Sequence, residues 1–171
     1  MKKRVKESMI HIIEGTVFIE DLEGFLRKLK IFGKKNNVAI QVLDADKLAG
    51  EKHIRFAVEK ALNSFRNETN IANDLAKEIL LYAAGTRQIN KAIRLGIHAG
   101  QNNVALVVVG GEPDLSAFEE ISRAEVLEYN ISKKEAIMKV FSITQEEIDI
   151  AGEEKIPELV LERVALVNVF K

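Results

Sequence analysis

The sequence predicts an α+β fold: a small, mostly antiparallel sheet of three to four strands with about seven to eight helices packed on it. Three observations lead there. Residues 104–109, Val-Ala-Leu-Val-Val-Val, are apolar at every position, as a strand in the middle of a sheet must be. Segments with apolar residues at helical spacing are grouped between strand-like runs rather than alternating with them. A chain of 171 residues that is 47% apolar, with no Cys and no Trp, can build a hydrophobic core without covalent or metal staples. One domain spanning 1–171 is expected, with residues 1–8, which include Lys2, Lys3, Arg4 and Lys6, as a flexible basic N-terminus.

Taken in order, residues 9–13 and 16–19, interrupted by Glu14 and Gly15, read as one bent strand or a tight hairpin. Leu22, Phe25, Leu26 and Leu29 mark a helix that stops around Gly33 and Asn36-Asn37. Residues 38–43 form a strand ended by Asp44-Ala45-Asp46. A helix follows with Ile54, Val58, Ala61, Leu62 and Phe65 on one face, then another with Ile71, Leu75, Ile79, Leu80 and Ala83, which stops at Gly85. Thr86 is placed to cap a short helix through Ile89, Ala92, Ile93 and Leu95, closed by Gly96. Three capping boxes are expected, pairing Ser116 with Glu119, Ser132 with Glu135 and Thr144 with Glu147. Residues 126–129 are a candidate fourth strand, and Pro157 opens a last helix running to about Phe170.

Several chemistries are excluded early. Without Cys there is no disulfide, thiolate nucleophile, zinc ribbon or iron–sulfur site. No apolar stretch reaches the roughly 18 residues needed to span a bilayer, and no cleavable leader is visible, so a cytoplasmic protein is expected, with no membrane partner. His11, His53 and His98 stand far apart, so neither a metal site nor any other cofactor is expected. No Ser sits in a G-x-S-x-G or S-x-x-K motif. Gly110-Gly111-Glu112-Pro113-Asp114 lacks the pattern of a phosphate loop and carries the wrong charge for one. His98, Glu112 and Asp114 are the one set that acid–base work could recruit, and they define the enzyme alternative, a small hydrolase or transferase.

The net charge of −1 conceals an imbalance: residues 1–100 hold 18 basic against 12 acidic side chains, residues 101–171 hold 7 against 14. A polyanion suits the first part and a basic partner the second. Within the first part, Lys52 and Arg55 share a helix face, with Lys60 further along. Arg87, Lys91 and Arg94 share a face of the short helix. Arg87 stands in its first turn, where a cation opposes the helix dipole. Gln88 and Asn90 can hydrogen-bond base edges, and the ring of Tyr82 is a candidate platform for an unstacked base. At the other end of the chain, the last helix is apolar on most sides, which points to a protein partner covering Leu159, Leu161, Val164, Leu166, Val169 and Phe170.

The run Gly85-Thr86-Arg87-Gln88-Ile89-Asn90-Lys91-Ala92-Ile93-Arg94-Leu95-Gly96-Ile97 resembles the small CGI-family regulatory subunit of the KEOPS complex. So do the helix around Ala57-Val58-Glu59-Lys60-Ala61-Leu62, the Glu78–Ala83 approach to the turn, and the terminal helix with Arg163 in an apolar frame. The resemblance spans residues 10–170 and implies a non-catalytic role. KEOPS installs threonylcarbamoyladenosine in tRNA. In that family the small subunit binds and regulates the complex's atypical kinase/ATPase subunit, and in archaea it recruits tRNA through the single-stranded CCA end. A purely protein–protein regulator without RNA binding is the nearer alternative. The surface that such a partner covers is also a candidate for pairing two copies when the partner is absent.

Overall fold

Residues 9–169 are described by a computed structural model; the expected N-terminal segment 1–8 and Phe170 lie outside them. The chain folds into two compact units, one made of residues up to Ala45 with Ile97–Val126, the other of Asp46–Gly96 with the residues from Leu127 onward.

The first unit holds the sheet. Its strands are β1 (Ile10–Ile19), β2 (Ala39–Asp44), β3 (Gly100–Val109) and β4 (Ser122–Arg123), in spatial order β2-β3-β1-β4, with every neighbouring pair antiparallel. β3 is interior, and its residues from Val104 to Val109 are all buried, as their uniformly apolar character requires. β1 pairs with β3 without interruption from Ile10 opposite Val109 to Ile19 opposite Gly100. It is therefore one ten-residue strand, and Glu14-Gly15 makes no hairpin. Gly15 is there for another reason: a Cβ on it would lie 2.2 Å from the Ser122 carbonyl oxygen, where β4 crosses. The fourth strand is Ser122–Arg123 rather than residues 126–129, which form no strand. A strand of two residues is too short to leave an alternating pattern in the sequence.

Among the described residues one α-helix belongs to this unit, α1 (Leu22–Asn36). The Asp21 carboxylate accepts from the Gly24 amide at 3.0 Å to start it, and Asn37 in the left-handed region ends it. Phe25 and Leu29 pack with Ile13, Val17, Val42, Leu106 and Phe118. The Phe118 ring stands edge-on to Phe25 at 6.3 Å and to Phe32 at 5.1 Å.

The second unit is helical: α2 (Glu51–Arg66), α3 (Leu75–Ala83), α4 (Ile89–Ala92), α5 (Lys134–Phe141), α6 (Gln145–Ala151) and α7 (Ile156–Leu166). Among the described residues the chain thus has a four-stranded antiparallel sheet and seven α-helices, the α+β class the sequence predicts. Ile137, Phe141, Ile143, Ile148, Ile156 and Val160 form a core cluster. The capping box of Thr144 and Glu147 is complete at the start of α6. The other two are absent. Asp114 Oδ1 accepts from the Ser116 amide at 2.9 Å and Asn130 Oδ1 from the Ser132 amide at 3.0 Å. In each case a side chain two residues upstream satisfies the amide in an Asx turn, and the serine is not a cap. Thr86 makes a similar local turn, accepting from the Gln88 amide at 3.1 Å, and α4 starts at Ile89 after Gln88 as N-cap, without a side-chain cap.

Candidate nucleic-acid interface

The candidate segment is launched from the end of α3, and buried polar groups hold that end in place. The His53 ring on α2 is buried; its Nδ1 accepts from the Ala49 amide at 3.1 Å and its Nε2–H donates to the Ala83 carbonyl at 2.7 Å. The backbone amide can only donate and the carbonyl can only accept, so the ring is the neutral Nε2–H tautomer. Burial is the main cause that pushes its pKa down to about 4; the Ala83 bond works against this and the nearby Lys133 charge adds to it. The ring also stands edge-on to Phe141, centroids 5.4 Å apart.

A second buried group, Glu78 on α3, gathers the preceding loop. Its carboxylate accepts from the Ile71 amide at 3.0 Å, the Ala72 amide at 2.8 Å and the Ser64 hydroxyl at 2.7 Å. Buried charges need this many donors. Tyr82, one turn further on, is 1% exposed. Burial first, and then the Glu78 charge, raise its phenol pKa. The expected stacking platform is therefore corrected: the ring fills the core and offers no face to a base.

After α3 the chain turns at Gly85, which has φ +64°. A Cβ there would come within 3.2 Å of Arg163 Cβ and 3.3 Å of a Phe141 ring carbon. The turn throws out five consecutive exposed residues, Arg87, Gln88, Ile89, Asn90 and Lys91. Ala92 and Leu95 anchor the segment in the core, while Ile93 and Arg94 are exposed. Of the four apolar residues that mark this segment in the sequence, Ile89 is 48% and Ile93 60% exposed. The reason is local: Ile89 and Ile93, four residues apart, share one side of the segment, while Ala92 and Leu95 occupy the side that meets the core. Arg87 Nη1 donates to the Val167 carbonyl at 3.0 Å. Lys91 and Arg94 have no ion pair among the described residues. Lys47, which the sequence reading passed over, adds a cation here by donating to the Arg94 carbonyl at 2.6 Å.

The α2 cations are placed differently. Lys52 is exposed, Arg55 reaches Glu51 at 3.4 Å, and the Lys60 ammonium lies 5.5 Å from the centre of the Phe56 ring. Residues 7–168 match the family model described as kinase binding protein CGI-121. The chain belongs to the CGI-121 family. A protein described as "Regulatory protein Cgi121" from Methanocaldococcus jannaschii is 34% identical over 134 residues, 77% of this chain and 84% of that protein.

In this CGI-121 chain the expected protein-partner surface on the last helix is narrower than the sequence indicated. Val164 is buried, so it is core and not surface. Leu159, Leu161 and Leu166 are half-buried, Leu159 against the core cluster, and Val169 is 62% exposed just beyond the helix end. Arg163 turns inward: its Nε donates to the Phe141 carbonyl at 3.2 Å and its Nη2 to Glu147 at 2.7 Å. The Thr144 amide, then Arg163, hold the Glu147 carboxyl below its usual range.

The set proposed for acid–base work does not assemble. His98 precedes β3 and Glu112 and Asp114 follow it, so ten strand residues at roughly 3.3 Å each hold the histidine and the carboxylates about 30 Å apart. His98 Nδ1 lies 2.9 Å from the Ala99 carbonyl oxygen, and Asp114 is occupied by Ser116. Among the described residues no three His, Asp or Glu side chains are grouped as metal ligands would be. No helix there is long and apolar enough to cross a membrane. Thus this chain exposes residues 87–91, Ile93 and Arg94 on one short segment, and holds His98 away from Glu112 and Asp114.

Proposed function

We propose that this chain is a non-catalytic subunit of KEOPS, binding and regulating its kinase/ATPase subunit and recruiting tRNA through the CCA end in the cytoplasm. The kinase-binding description of the family and the regulatory description of the archaeal relative support the first half of this reading. One observation carries the second: a pinned turn that exposes cations, amides and isoleucines together. Single-stranded RNA is bound by contacts to base faces, base edges and phosphates. Ile89 and Ile93 supply apolar area for a base, replacing Tyr82 in that role. Gln88 and Asn90 supply edge donors and acceptors, and Lys91 and Arg94 meet phosphates. Arg87 contributes the guanidinium N–H groups that Val167 leaves unused.

The test is binding of full-length tRNA and of the same tRNA without its CCA end, at two salt concentrations. Tight binding lost with the CCA end is expected. Weak binding, indifferent to the end and erased by salt, overturns the RNA half and leaves kinase docking alone. The variant Lys91→Glu/Arg94→Glu is expected to weaken tRNA binding about tenfold or more and to lower the salt slope by about 1–2. Unchanged affinity places the site elsewhere. Arg87 is a poorer choice, because its removal also frees the Val167 carbonyl.

For kinase docking, Leu161→Asp/Val169→Asp is expected to weaken binding of the kinase subunit at least about tenfold while the thermal midpoint stays near that of the parent. Parent-like kinase binding would rule out this surface. Deleting the chain from Pro157 is uninformative, since Val160 and Val164 are core residues.

A further inference from the structure

The outward face of α1 has an arrangement that neither proposed role uses. Ile31 points directly away from the helix side that buries Phe25, Leu29 and Gly33, and it is 61% exposed. Helical spacing places Arg27 and Lys35 one turn before and after it, and Lys28 and Lys34 three residues away. The isoleucine is thus the apolar centre of a ring of four cations. A shallow groove runs along this stripe past Gly24, Arg27, Lys28, Ile31, Phe32 and Lys35. Arg27, Lys34 and Lys35 have no carboxylate partner among the described residues. Lys28 already has one, Glu120 at 3.0 Å, so a carboxylate is seated on the rim.

The complementary arrangement occurs in the same chain. Ile150, on α6, is 89% exposed. It is flanked at the same sequence offsets by Glu146 and Glu147 before it and by Glu153 and Glu154 in the turn after Gly152. Glu147 is held by Arg163 and Glu153 by Lys134, whereas Glu146 and Glu154 carry no ion pair among the described residues. One exposed isoleucine is thus ringed by cations, and the other has unpaired carboxylates four residues before it on α6 and just past the Gly152 turn, so the two match in both charge and hydrophobicity.

We propose that a second copy of this chain docks here, the acidic Gln145–Glu154 segment of one copy lying on the α1 face of another. An apolar centre with a charged rim is the usual anatomy of a protein interface. Phosphates make no use of Ile31. A lipid surface needs a broad apolar face, and that side of α1 is already buried in the core.

The test is the solution mass of the parent and of two charge-reversed variants, measured alone and mixed. The parent is expected to rise with concentration above the 19.1 kDa of one chain and to fall back on going from about 0.1 M to about 1 M salt. Lys34→Glu/Lys35→Glu and Glu146→Lys/Glu154→Lys should each associate at least about tenfold more weakly alone, through like-charge contacts. Mixed together they should associate again, because either reversed face finds its opposite; this recovery also shows that both variants are folded. A parent that stays monomeric at low salt overturns the proposal. So does a variant that associates like the parent, or a mixture that stays monomeric. Loss of duplex RNA binding in the α1 variant, with its mass unchanged from the parent's, would assign the face to nucleic acid instead.

Discussion

Gly85→Ala is expected to lower stability by about 2–5 kcal/mol. The left-handed conformation costs an L-residue roughly 1–2 kcal/mol. The added methyl must also push against Arg163 and Phe141, worth about 1–3 kcal/mol where neighbours cannot move far. They cannot here, because Arg163 is tied to the Phe141 carbonyl and to Glu147, and Phe141 to the His53 ring. In a chain of this size the loss corresponds to a thermal midpoint lower by about 5–15 °C. Gly85→Asn separates the two causes, since Asn tolerates the left-handed region but still brings a Cβ. If the alanine variant unfolded at the parent's urea midpoint, the turn would have to be free to relax. Binding at Arg87–Arg94 should weaken with it, because the turn aims that segment.

His53 should make stability fall on mild acidification. The folded ring titrates near 4 and the unfolded one near 6.5, so between these values the unfolded chain binds a proton that the folded chain refuses. The contribution is intact above pH 6.5 and is lost progressively as pH falls to about 4, amounting to about 3 kcal/mol. His53→Ala should cost about 3–5 kcal/mol at pH 7, since it strands the Ala49 amide and the Ala83 carbonyl and leaves a void beside Phe141. It should also remove this part of the pH dependence. The Glu147 carboxyl, held low, loses its contribution only in a more acidic range and is present in both proteins. Denaturant titrations of parent and variant from pH 7 to pH 4 test this; parallel curves would mean that His53 charges freely within the fold.

The parts of the fold that sequence revealed are those fixed by local pattern. The six apolar residues of β3, Phe25 and Leu29 on α1 (though not Leu26, which is exposed), the stripe of α2, and the Thr144–Glu147 cap each need only neighbours along the chain. The parts it hid depend on distant backbone. Nothing near Gly15 indicates that β4 will cross it. Ser116 and Ser132 fit the cap pattern, but Asp114 and Asn130 reach the amides first. The same division holds at the candidate site. Exposure of Arg87, Gln88, Asn90, Lys91 and Arg94 follows from their polarity. The outward turn of Ile89 and Ile93 depends on which side of the segment meets the core, Ala92 and Leu95, and the apolar character of all four does not announce it. Tyr82, His53 and Glu78 are polar residues on core-facing positions, and their hydrogen-bond partners come from other elements. The signal that could have found His53 and Glu78 is their place within apolar stripes, which requires a partner for each.

The bond from Arg87 to the Val167 carbonyl gives the turn after α3 and the residues after α7 a shared stake in one guanidinium. Any ligand that draws Arg87 Nη1 away must leave that carbonyl to find another donor. Any protein that takes hold of the chain around Val167 and Val169 changes how readily the arginine is released. Thermodynamic reciprocity makes these two effects equal: whatever factor one occupant imposes on the affinity of the other, it receives in return. A docking event at the C-terminal end can therefore be read out at the turn through this single bond, without any rearrangement of the sheet.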